Sequence, residues 1–311
     1  DGTVTIKSGV LPKPRRAFGC AENSLTNKIY CFGGVEPAGG RTAQIIEYDP
    51  IEDIVIAKDT SLPVAIWYQS CAESLLNHKI YCLGGYSNVE LDIIIEYDTL
   101  NDNVTIKSVT LPSHRQKLSC TESLSNSKIY CFGGDGSTGS LNEIVEYDPS
   151  SNVIVIKSVT LPSGRNALSC TEAPNGKIYC FGGTDESSGF DEIIEYNPIL
   201  DTISLKSAKL PTPRQDISCA PSSNSNMIYC IGGSSGAGIL DEIVQYDFNN
   251  DQIKTMAQTI PNGRKEHMCV KESSSNLIYC LGGDTNTGVT DTIIEYEINL
   301  LPPIFSWVTI A

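Results

Sequence analysis

The chain repeats one pattern six times, and this repetition constrains its fold more than any other feature. Each copy holds Leu-Pro (Ile-Pro in the last), usually an Arg, a Cys, then Ile-Tyr-Cys, two Gly and a Tyr that usually follows Glu. The third copy begins at Leu111 as LPSHRQKLSCTESLSNSKIYCFGG. The first Cys of successive copies stands at positions 20, 71, 120, 170, 219 and 269, so the period is 49 to 51 residues. A fixed period of this length predicts a repeat architecture.

The repeats fill almost the whole chain. Their approximate bounds are 11–61, 62–110, 111–160, 161–209, 210–259 and 260–311, which leaves residues 1–10 as a strand that closes the last unit. No linker, low-complexity tract or block of charge separates the copies. We therefore expect residues 1–311 to form one domain, although the length alone would permit two.

The composition argues against two classes of partner. A formal net charge of −15 and a pI near 4.6 disfavour nucleic acid, because phosphate binding needs a basic surface. No apolar run approaches the roughly 18 residues that a membrane helix needs. The sequence starts at Asp1 without a charged and then apolar leader, so either a signal peptide was removed or this is a piece of a longer protein.

Each repeat contains four strand-like segments and no helical periodicity. In the third repeat these are strand a over 118–122, strand b over 128–132, strand c over 143–147 and strand d over 153–157. Turn residues separate them, with two Gly after strand b and Asp-Pro after strand c. The pattern predicts an all-β fold of repeated antiparallel sheets.

All twelve cysteines belong to the repeat, and they come in six pairs: Cys20 and Cys31, Cys71 and Cys82, Cys120 and Cys131, Cys170 and Cys180, Cys219 and Cys230, Cys269 and Cys280. One pair per unit favours disulfides formed in an oxidising compartment, with buried free thiols as the alternative. In an a–b hairpin with Cys120 opposite Cys131, the two sulfurs lie close enough to bond. The spacing does not indicate zinc, because no CxxC motif occurs.

The two ends of the chain compete for one position. Thr3–Ser8 matches strand d of the second repeat, and Phe305–Ile310 is a second strand-like run, yet the sixth unit needs only one strand d. We favour the N-terminal strand, because its spacing to Leu11-Pro12 is the standard one. The terminal run then packs on the same molecule or pairs with an exposed edge of a neighbouring copy.

Taken together, these motifs resemble the Kelch repeats of six-bladed β-propellers. The double Gly after strand b, the EYDP-like strand c at Glu47–Pro50 and Glu146–Pro149, and the LPxxR entry to strand a all match the Kelch pattern. The resemblance implies six four-stranded blades around an axis, with the d–a and b–c loops on one face. One departure is systematic: the Trp usual in Kelch strand d is replaced by Val55, Val104, Ile154, Ile203 and Ile253.

Five arginines stand five residues before the first Cys of their repeats: Arg15, Arg115, Arg165, Arg214 and Arg264. By resemblance to the Kelch substrate adaptors of ubiquitin ligases, an Arg at this position reaches a bound acidic peptide, and guanidinium groups suit carboxylates. The alternative is a structural clasp to loop carbonyls or to the Glu two residues past the Cys: Glu22, Glu73, Glu122 or Glu172. Both interpretations stay open at this stage.

The second repeat breaks the arginine pattern. It has Ile66 in place of Arg, followed by Trp67 and Tyr68. An aromatic pair on a polar rim is suited to stacking against a sugar or a peptide side chain, and it equally suits filling the space that the missing Arg leaves. With the five arginines, Trp67 and Tyr68 complete the candidate ligand-binding set.

Nothing in the sequence indicates catalysis. Galactose oxidase shares the propeller architecture and holds copper with Tyr and His, but His78, His114 and His267 lie in different repeats without a motif around them. No GxSxG elbow occurs. We predict no enzyme, no metal and no cofactor, and an oxidase-like activity is the least favoured alternative.

The leading hypothesis is a secreted, non-catalytic propeller that binds protein or glycan through the d–a and b–c loops. The alternative is a structural subunit that assembles into oligomers or fibres through Phe305–Ile310 or Thr3–Ser8. Asn103-Val104-Thr105 is the one glycosylation sequon and would lie away from the binding face.

Overall fold

The computed structural model describes residues 2–298, which form six four-stranded antiparallel sheets in the order a-b-c-d. We call these sheets blades 1 to 6. Blade 1 comprises Gly19–Asn23, Lys28–Phe32, Gln44–Asp49 and Ile54–Ser61; blade 2, Ser70–Ser74, Lys79–Leu83, Ile94–Asp98 and Asn103–Ile106; blade 3, Ser119–Ser123, Lys128–Phe132, Glu143–Asp148 and Val153–Thr160. Blade 4 comprises Ser169–Glu172, Ile178–Phe181, Glu192–Asn197 and Thr202–Lys209; blade 5, Ser218–Pro221, Met227–Ile231, Glu242–Asp247 and Gln252–Thr259; blade 6, Met268–Lys271, Leu277–Leu281, Thr292–Glu297 and Thr3–Val10.

The predicted all-β propeller fold is confirmed. The one helical element in residues 2–298 is the short 3-10 turn Pro37–Gly39 in the b–c loop of blade 1. No helix in this part of the chain has the length and hydropathy to cross a bilayer.

Strands b and c form the buried centre of each blade, and strand d is its solvent-facing edge. In blade 3 the residues from Ile129 to Phe132 are all buried, whereas Val153–Thr160 alternates between exposed and half-buried positions, except that Val155 and Ile156 are both exposed. This alternation is the period of two expected for a strand with one solvated face.

The double Gly after strand b allows adjacent blades to meet closely. Gly133 and Gly134 have φ of 59° and 105°, in the region that favours glycine. The amide of Gly134 donates to the carbonyl oxygen of Arg165 in the next blade at 2.9 Å. A Cβ on Gly133 would lie 2.3 Å from that same oxygen, so any side chain there would push the blades apart.

One disulfide links strands a and b of every blade, as the spacing predicted. In blade 3, Cys120 and Cys131 are directly opposed, and in all six pairs the Cα atoms lie 4.0 to 4.2 Å apart. The shorter a–b connection of blade 4 keeps the same pairing of Cys170 with Cys180, because its missing residue falls in the turn. Among the described residues no cysteine is free.

The N-terminal strand occupies the strand d position of blade 6. Thr3–Val10 pairs antiparallel with Thr292–Glu297, and Ser8 donates through its amide and hydroxyl to the Asp53 carboxylate of blade 1 at 2.9 and 2.5 Å. Thr3–Ser8 therefore completes blade 6. The competing run Phe305–Ile310 lies outside the described residues.

The hydrophobic core is a closed circuit of six clusters, each made by two neighbouring blades. The cluster between blades 6 and 1 joins Phe18 and Tyr48 to Tyr279 and Ile293. The residues that replace the usual Kelch Trp pack against these clusters: Val55, Val104, Ile154, Ile203 and Ile253, with Val4 in the sixth position. A smaller aliphatic side chain thus fills the strand d position around the ring.

Candidate functional site

The d–a and b–c loops meet on one face, which we call the loop face. At its centre, six residues form a closed ring of backbone hydrogen bonds with donor–acceptor distances of 2.7 to 3.4 Å, each N–H donating to the preceding blade: Ala17, Tyr68, Lys117, Ala167, Asp216 and Glu266. All six have φ between 52° and 58°. Non-glycine residues rarely adopt this conformation, so the closed ring of bonds must stabilise it.

The side chains around this ring are unequal. The Tyr68 hydroxyl donates to Glu266 at 2.7 Å, and the Lys117 ammonium lies 4.9 Å from the centre of the Tyr68 ring. Arg16 forms an ion pair with Glu266. Burial and the nearby Glu266 carboxylate raise the pKa of Asp216 to about 6. Because the other two members are Ala, the axis presents charged and aromatic groups on some blades only.

The five predicted binding arginines do not line this face. Arg15, Arg115, Arg165, Arg214 and Arg264 are only 0 to 2 % exposed. In blade 3, Arg115 donates from Nη2 to Glu143 Oε2 at 2.5 Å and from Nη1 to the Gly133 carbonyl at 3.2 Å. The corresponding first residues of strand c are Gln44 for Arg15, Glu192 for Arg165, Glu242 for Arg214 and Thr292 for Arg264.

This geometry corrects the proposed arginine ring. Each guanidinium is buried under the b–c loop of its own blade, so it does not reach a ligand. Most of its donors have acceptors; within residues 2–298 the exceptions are Arg15 Nε, Arg214 Nη1 and Arg264 Nε. Burial lowers the pKa of Arg264 to about 10, because its strand c partner is a hydroxyl rather than a carboxylate. The arginines are structural clasps, and their partner is the first residue of strand c rather than the Glu after the Cys.

Blade 2 lacks both halves of the clasp. Ile66 replaces the Arg, and Ile93 holds the place of the strand c acceptor, since its carbonyl accepts from Gly84 as that of Glu143 accepts from Gly133. Both isoleucines belong to the apolar cluster between blades 1 and 2. Blade 2 thus has an apolar pair where blades 3, 4 and 5 have an ion pair, so no buried charge is left unpaired there.

Trp67 and Tyr68 are not an open aromatic platform. Trp67 is 8 % exposed, its ring lies 5.0 Å from that of Tyr86, and the Arg41 guanidinium covers it at 4.2 Å. Tyr68 points its hydroxyl at Glu266 in the central ring. Of the seven predicted ligand-binding residues, only Tyr68 and the edge of Trp67 contribute to the loop face.

The loop face opens into a polar notch of about 410 Å³. It is lined mainly by loops of blades 4 and 5, including Asn166, Thr184, Glu186, Gln215 and Ser234. Asn166 is 1 % exposed; its Nδ2 donates to Ser140 Oγ at 2.9 Å, while its Oδ1 has no partner within residues 2–298. A buried acceptor without a donor is costly, so the notch suits a group that brings an N–H or O–H.

The a strands of the six blades enclose a central channel, and the Glu residues after the Cys lie at its end opposite the loop face. Glu73 accepts from the Ser24 amide at 2.9 Å and Glu122 from the Leu75 amide at 2.9 Å, each reaching the a–b turn of the preceding blade. Glu172 and Glu22 make the equivalent bonds to Leu124 and Ser273. These carboxylates tie successive blades together.

Because of three of these carboxylates, Glu122, Glu22 and Glu172, we expect the free energy of unfolding to fall as pH rises. Burial raises the pKa of Glu122 to about 7, and it raises the pKa values of Glu22 and Glu172 as well. A raised pKa means that the folded state favours the protonated form, so this stabilisation is lost as pH rises from about 4.5 through 7. For Glu122 alone we expect a loss of about 2 to 3 kcal/mol. The melting temperature of the wild type should therefore be several degrees lower at pH 8 than at pH 5.5.

E122Q is the variant that tests this assignment, because an amide imitates the protonated carboxyl and still accepts from the Leu75 amide. We expect E122Q to flatten the difference between the two melting temperatures. The exposed E52Q removes the same charge and should keep the wild-type difference. Equal pH dependence in E122Q and wild type would contradict the assignment.

The histidines do not form a site. His78 lies in the a–b turn of blade 2, His114 in the d–a loop of blade 3, and His267 is buried before strand a of blade 6. Within residues 2–298, the one group with metal-ligand spacing is His267 with Cys269 and Cys280, whose sulfurs are bonded to each other. Burial and the nearby Arg264 lower the pKa of His267 to about 3, so it is neutral.

The comparison with known families agrees with this geometry. The Kelch-repeats domain described as KLHDC2/KLHL20/DRC7 matches residues 70–283, which are 214 of the 311 residues. The chain belongs to the Kelch-repeat family. Kelch domains are generally protein-interaction modules rather than enzymes. Among curated proteins, no match to the chain was found.

The Kelch pattern predicted which loops form the loop face, but it did not predict which side chains line that face. The sequence pattern pointed to arginines that are buried, and it did not point to Lys117, Asp216 and Glu266, which belong to the central ring of backbone hydrogen bonds. The signal was present, because the residue three before each Cys changes in chemical type between blades: Ala, Tyr, Lys, Ala, Asp and Glu.

Proposed function

We propose that this Kelch protein is a secreted, non-catalytic recognition propeller that binds a protein partner through its loop face. The observation that carries this proposal is the loss of sixfold similarity on that face. The disulfides and strands repeat in all six blades and the arginine clasp in five, whereas the central ring carries Ala, Tyr, Lys, Asp or Glu side chains on different blades and the notch lies mainly at blades 4 and 5. A surface that must fit one asymmetric partner is expected to break the repeat.

The notch favours a polar segment of polypeptide. The residues that line it carry hydroxyls, amides and the carboxylate of Glu186, and Asn166 Oδ1 has no hydrogen-bond donor within residues 2–298. Backbone N–H groups and side-chain amides of a partner loop supply such donors. The neighbouring Lys117, Asp216 and Glu266 add charges of both signs, which select a partner by complementarity.

A glycan is the other class of ligand that the sequence suggested, and its support is weaker. Sugar binding generally uses an open aromatic face, but Trp67 is covered by Arg41. The notch itself has no aromatic side chain in its lining. A glycan remains an outcome to be tested rather than the proposed partner.

Six disulfides indicate an oxidising environment, and we extend this to secretion. Asn103 opens strand d of blade 2 and is exposed, so a glycan attached there would not obstruct the loop face. Glycosylation at Asn103 is part of this proposal.

Site-specific cross-linking tests the binding face. A photoreactive residue at exposed Ser187, on the rim of the notch, should capture the partner from the extracellular fluid, whereas one at Ser125 on the opposite face should not. S187R/S235R should weaken binding of the captured protein by roughly tenfold or more, because two long side chains fill the notch. The control S125R/S150R adds the same charge elsewhere. Equal capture at both positions, or capture of a free oligosaccharide alone, would refute the proposal.

A further inference from the structure

The blade 4 side of the polar notch carries hydroxyl groups that already donate within their own loop. Thr184 donates from its hydroxyl to the Ser188 carbonyl at 2.9 Å. Ser187 and Ser188 donate theirs to Asp185 Oδ1 at 2.7 and 3.2 Å. Because a hydroxyl has one proton and two lone pairs, these side chains have only lone pairs left to offer. This side of the notch therefore accepts hydrogen bonds from a guest rather than donating them.

Two stronger acceptors line the same space. Asn166 is buried, and its Oδ1 has no donor within residues 2–298. Glu186 is exposed on the rim, and no ion pair of the described residues includes its carboxylate. A buried acceptor without a donor and a carboxylate without a cation are both stabilised by a guest that donates.

A second carboxyl group lies beside Glu186. Asp135, from the b–c loop of blade 3, accepts from Gln116 Nε2 at 3.3 Å. Burial and the nearby Glu186 carboxylate raise the pKa of Asp135, because two negative groups from neighbouring blades repel each other here. A positive charge bound between them would relieve this repulsion.

The basic side chains that line the notch leave this charge incompletely balanced. Arg214 is buried and is already used as a clasp. Lys117 lies close enough to Asp135 to offset part of its charge, but its ammonium is held 4.9 Å from the centre of the Tyr68 ring. A divalent metal ion is not the favoured guest, because in the part of the chain that the structure describes these carboxylates do not form a group of three with metal-ligand spacing.

We propose that the notch binds an arginine side chain of the protein partner. This inference rests on the proposed function, since it names what the partner places in the notch. A guanidinium has five N–H donors and no acceptor, so it matches a site that offers Glu186, Asn166 Oδ1 and hydroxyl lone pairs. Its planar fork reaches separated acceptors, whereas a lysine ammonium is a single point of charge. The net charge of −15 attracts a basic partner from a distance.

An NMR titration of the whole chain, read by saturation transfer, tests this inference with the peptide acetyl-Gly-Arg-Gly-amide. We expect a dissociation constant near 1 mM for the wild type, to be raised roughly tenfold by E186Q, because a charge-assisted hydrogen bond is lost. Glu186 is exposed, so E186Q should keep the wild-type melting temperature. The matched control E52Q removes the same charge on the opposite face and should bind as the wild type does.

A second peptide separates charge from shape. Citrulline has the outline of arginine without its positive charge, so acetyl-Gly-citrulline-Gly-amide should bind the wild type roughly tenfold more weakly. Three results would overturn the inference: no binding of the arginine peptide at about 10 mM, equal binding by E186Q and wild type, and equal binding of the two peptides.

Cross-linking from Ser187 distinguishes failure of this inference from failure of the proposed function. A captured partner that loses affinity for S187R/S235R but not for E186Q would show that the notch binds protein without an arginine, so that this inference alone is wrong. If the arginine peptide binds but no protein is captured, the arginine site is correct and the protein partner is wrong.

Discussion

Complete reduction of the six disulfides is expected to lower the melting temperature by roughly 10 °C or more. On the loop-entropy model, a bridge that closes about a dozen residues contributes about 3 kcal/mol, and less where a hairpin already restrains its ends. Strand a holds one Cys of each pair and lines the channel, so losing all six bridges loosens the inner wall of the ring. Differential scanning calorimetry with and without a phosphine reductant measures the shift.

The matched control for reduction is removal of one bridge. C219S/C230S should lower the free energy of unfolding by about 2 to 3 kcal/mol. This is a small part of the full effect, because each disulfide lies within a single blade. If reduction leaves the melting temperature unchanged, the hairpins hold without their bridges and the disulfides serve another purpose.

Arg165→Ala is expected to destabilise the protein by about 3 to 5 kcal/mol. The substitution removes the donors to Glu192 and to the Gly182 carbonyl and leaves both acceptors without their partner. Chemical denaturation measures the loss. Arg41→Ala is the matched control: Arg41 is exposed, so we expect less than about 1 kcal/mol.

Blade 2 supplies a rescue for the same clasp. R165I/E192I copies the natural pair Ile66 and Ile93, and it should recover most of the stability that Arg165→Ala loses, because no buried charge remains unpaired. If Arg165→Ala is as mild as Arg41→Ala, the arginines are not clasps. If the double variant is no better than Arg165→Ala, then the two isoleucines of blade 2 are not an equivalent solution.

The sequence was sufficient for the blade because its information is local. The spacing between Cys120 and Cys131 sets the a–b register, and the alternation in Val153–Thr160 marks an edge strand. These features depend on neighbours within about ten residues. The choice of Thr3–Ser8 for blade 6 also followed from local sequence, through its match to strand d of the second repeat and its spacing to Leu11-Pro12.

The functional face was harder to predict because its geometry is made by distant contacts. Positive φ at Tyr68 or Lys117 depends on a ring of bonds that closes only when all six blades are in place. Likewise, Arg115 pairs with Glu143, which lies 28 residues further along the chain. The local LPxxR motif therefore does not predict that Arg115 is buried. Residue type alone suggested an exposed cation where the fold places a buried clasp.

Peptide mapping of the unreduced protein tests the central claim most directly. A ring of six blades, each with its own disulfide between strands a and b, allows only one pattern of cysteine pairing. Proteolysis without reductant, followed by mass spectrometry, should recover links within each blade: Cys20–Cys31, Cys71–Cys82, Cys120–Cys131, Cys170–Cys180, Cys219–Cys230 and Cys269–Cys280. Links between cysteines of different blades, or free thiols throughout, would contradict it.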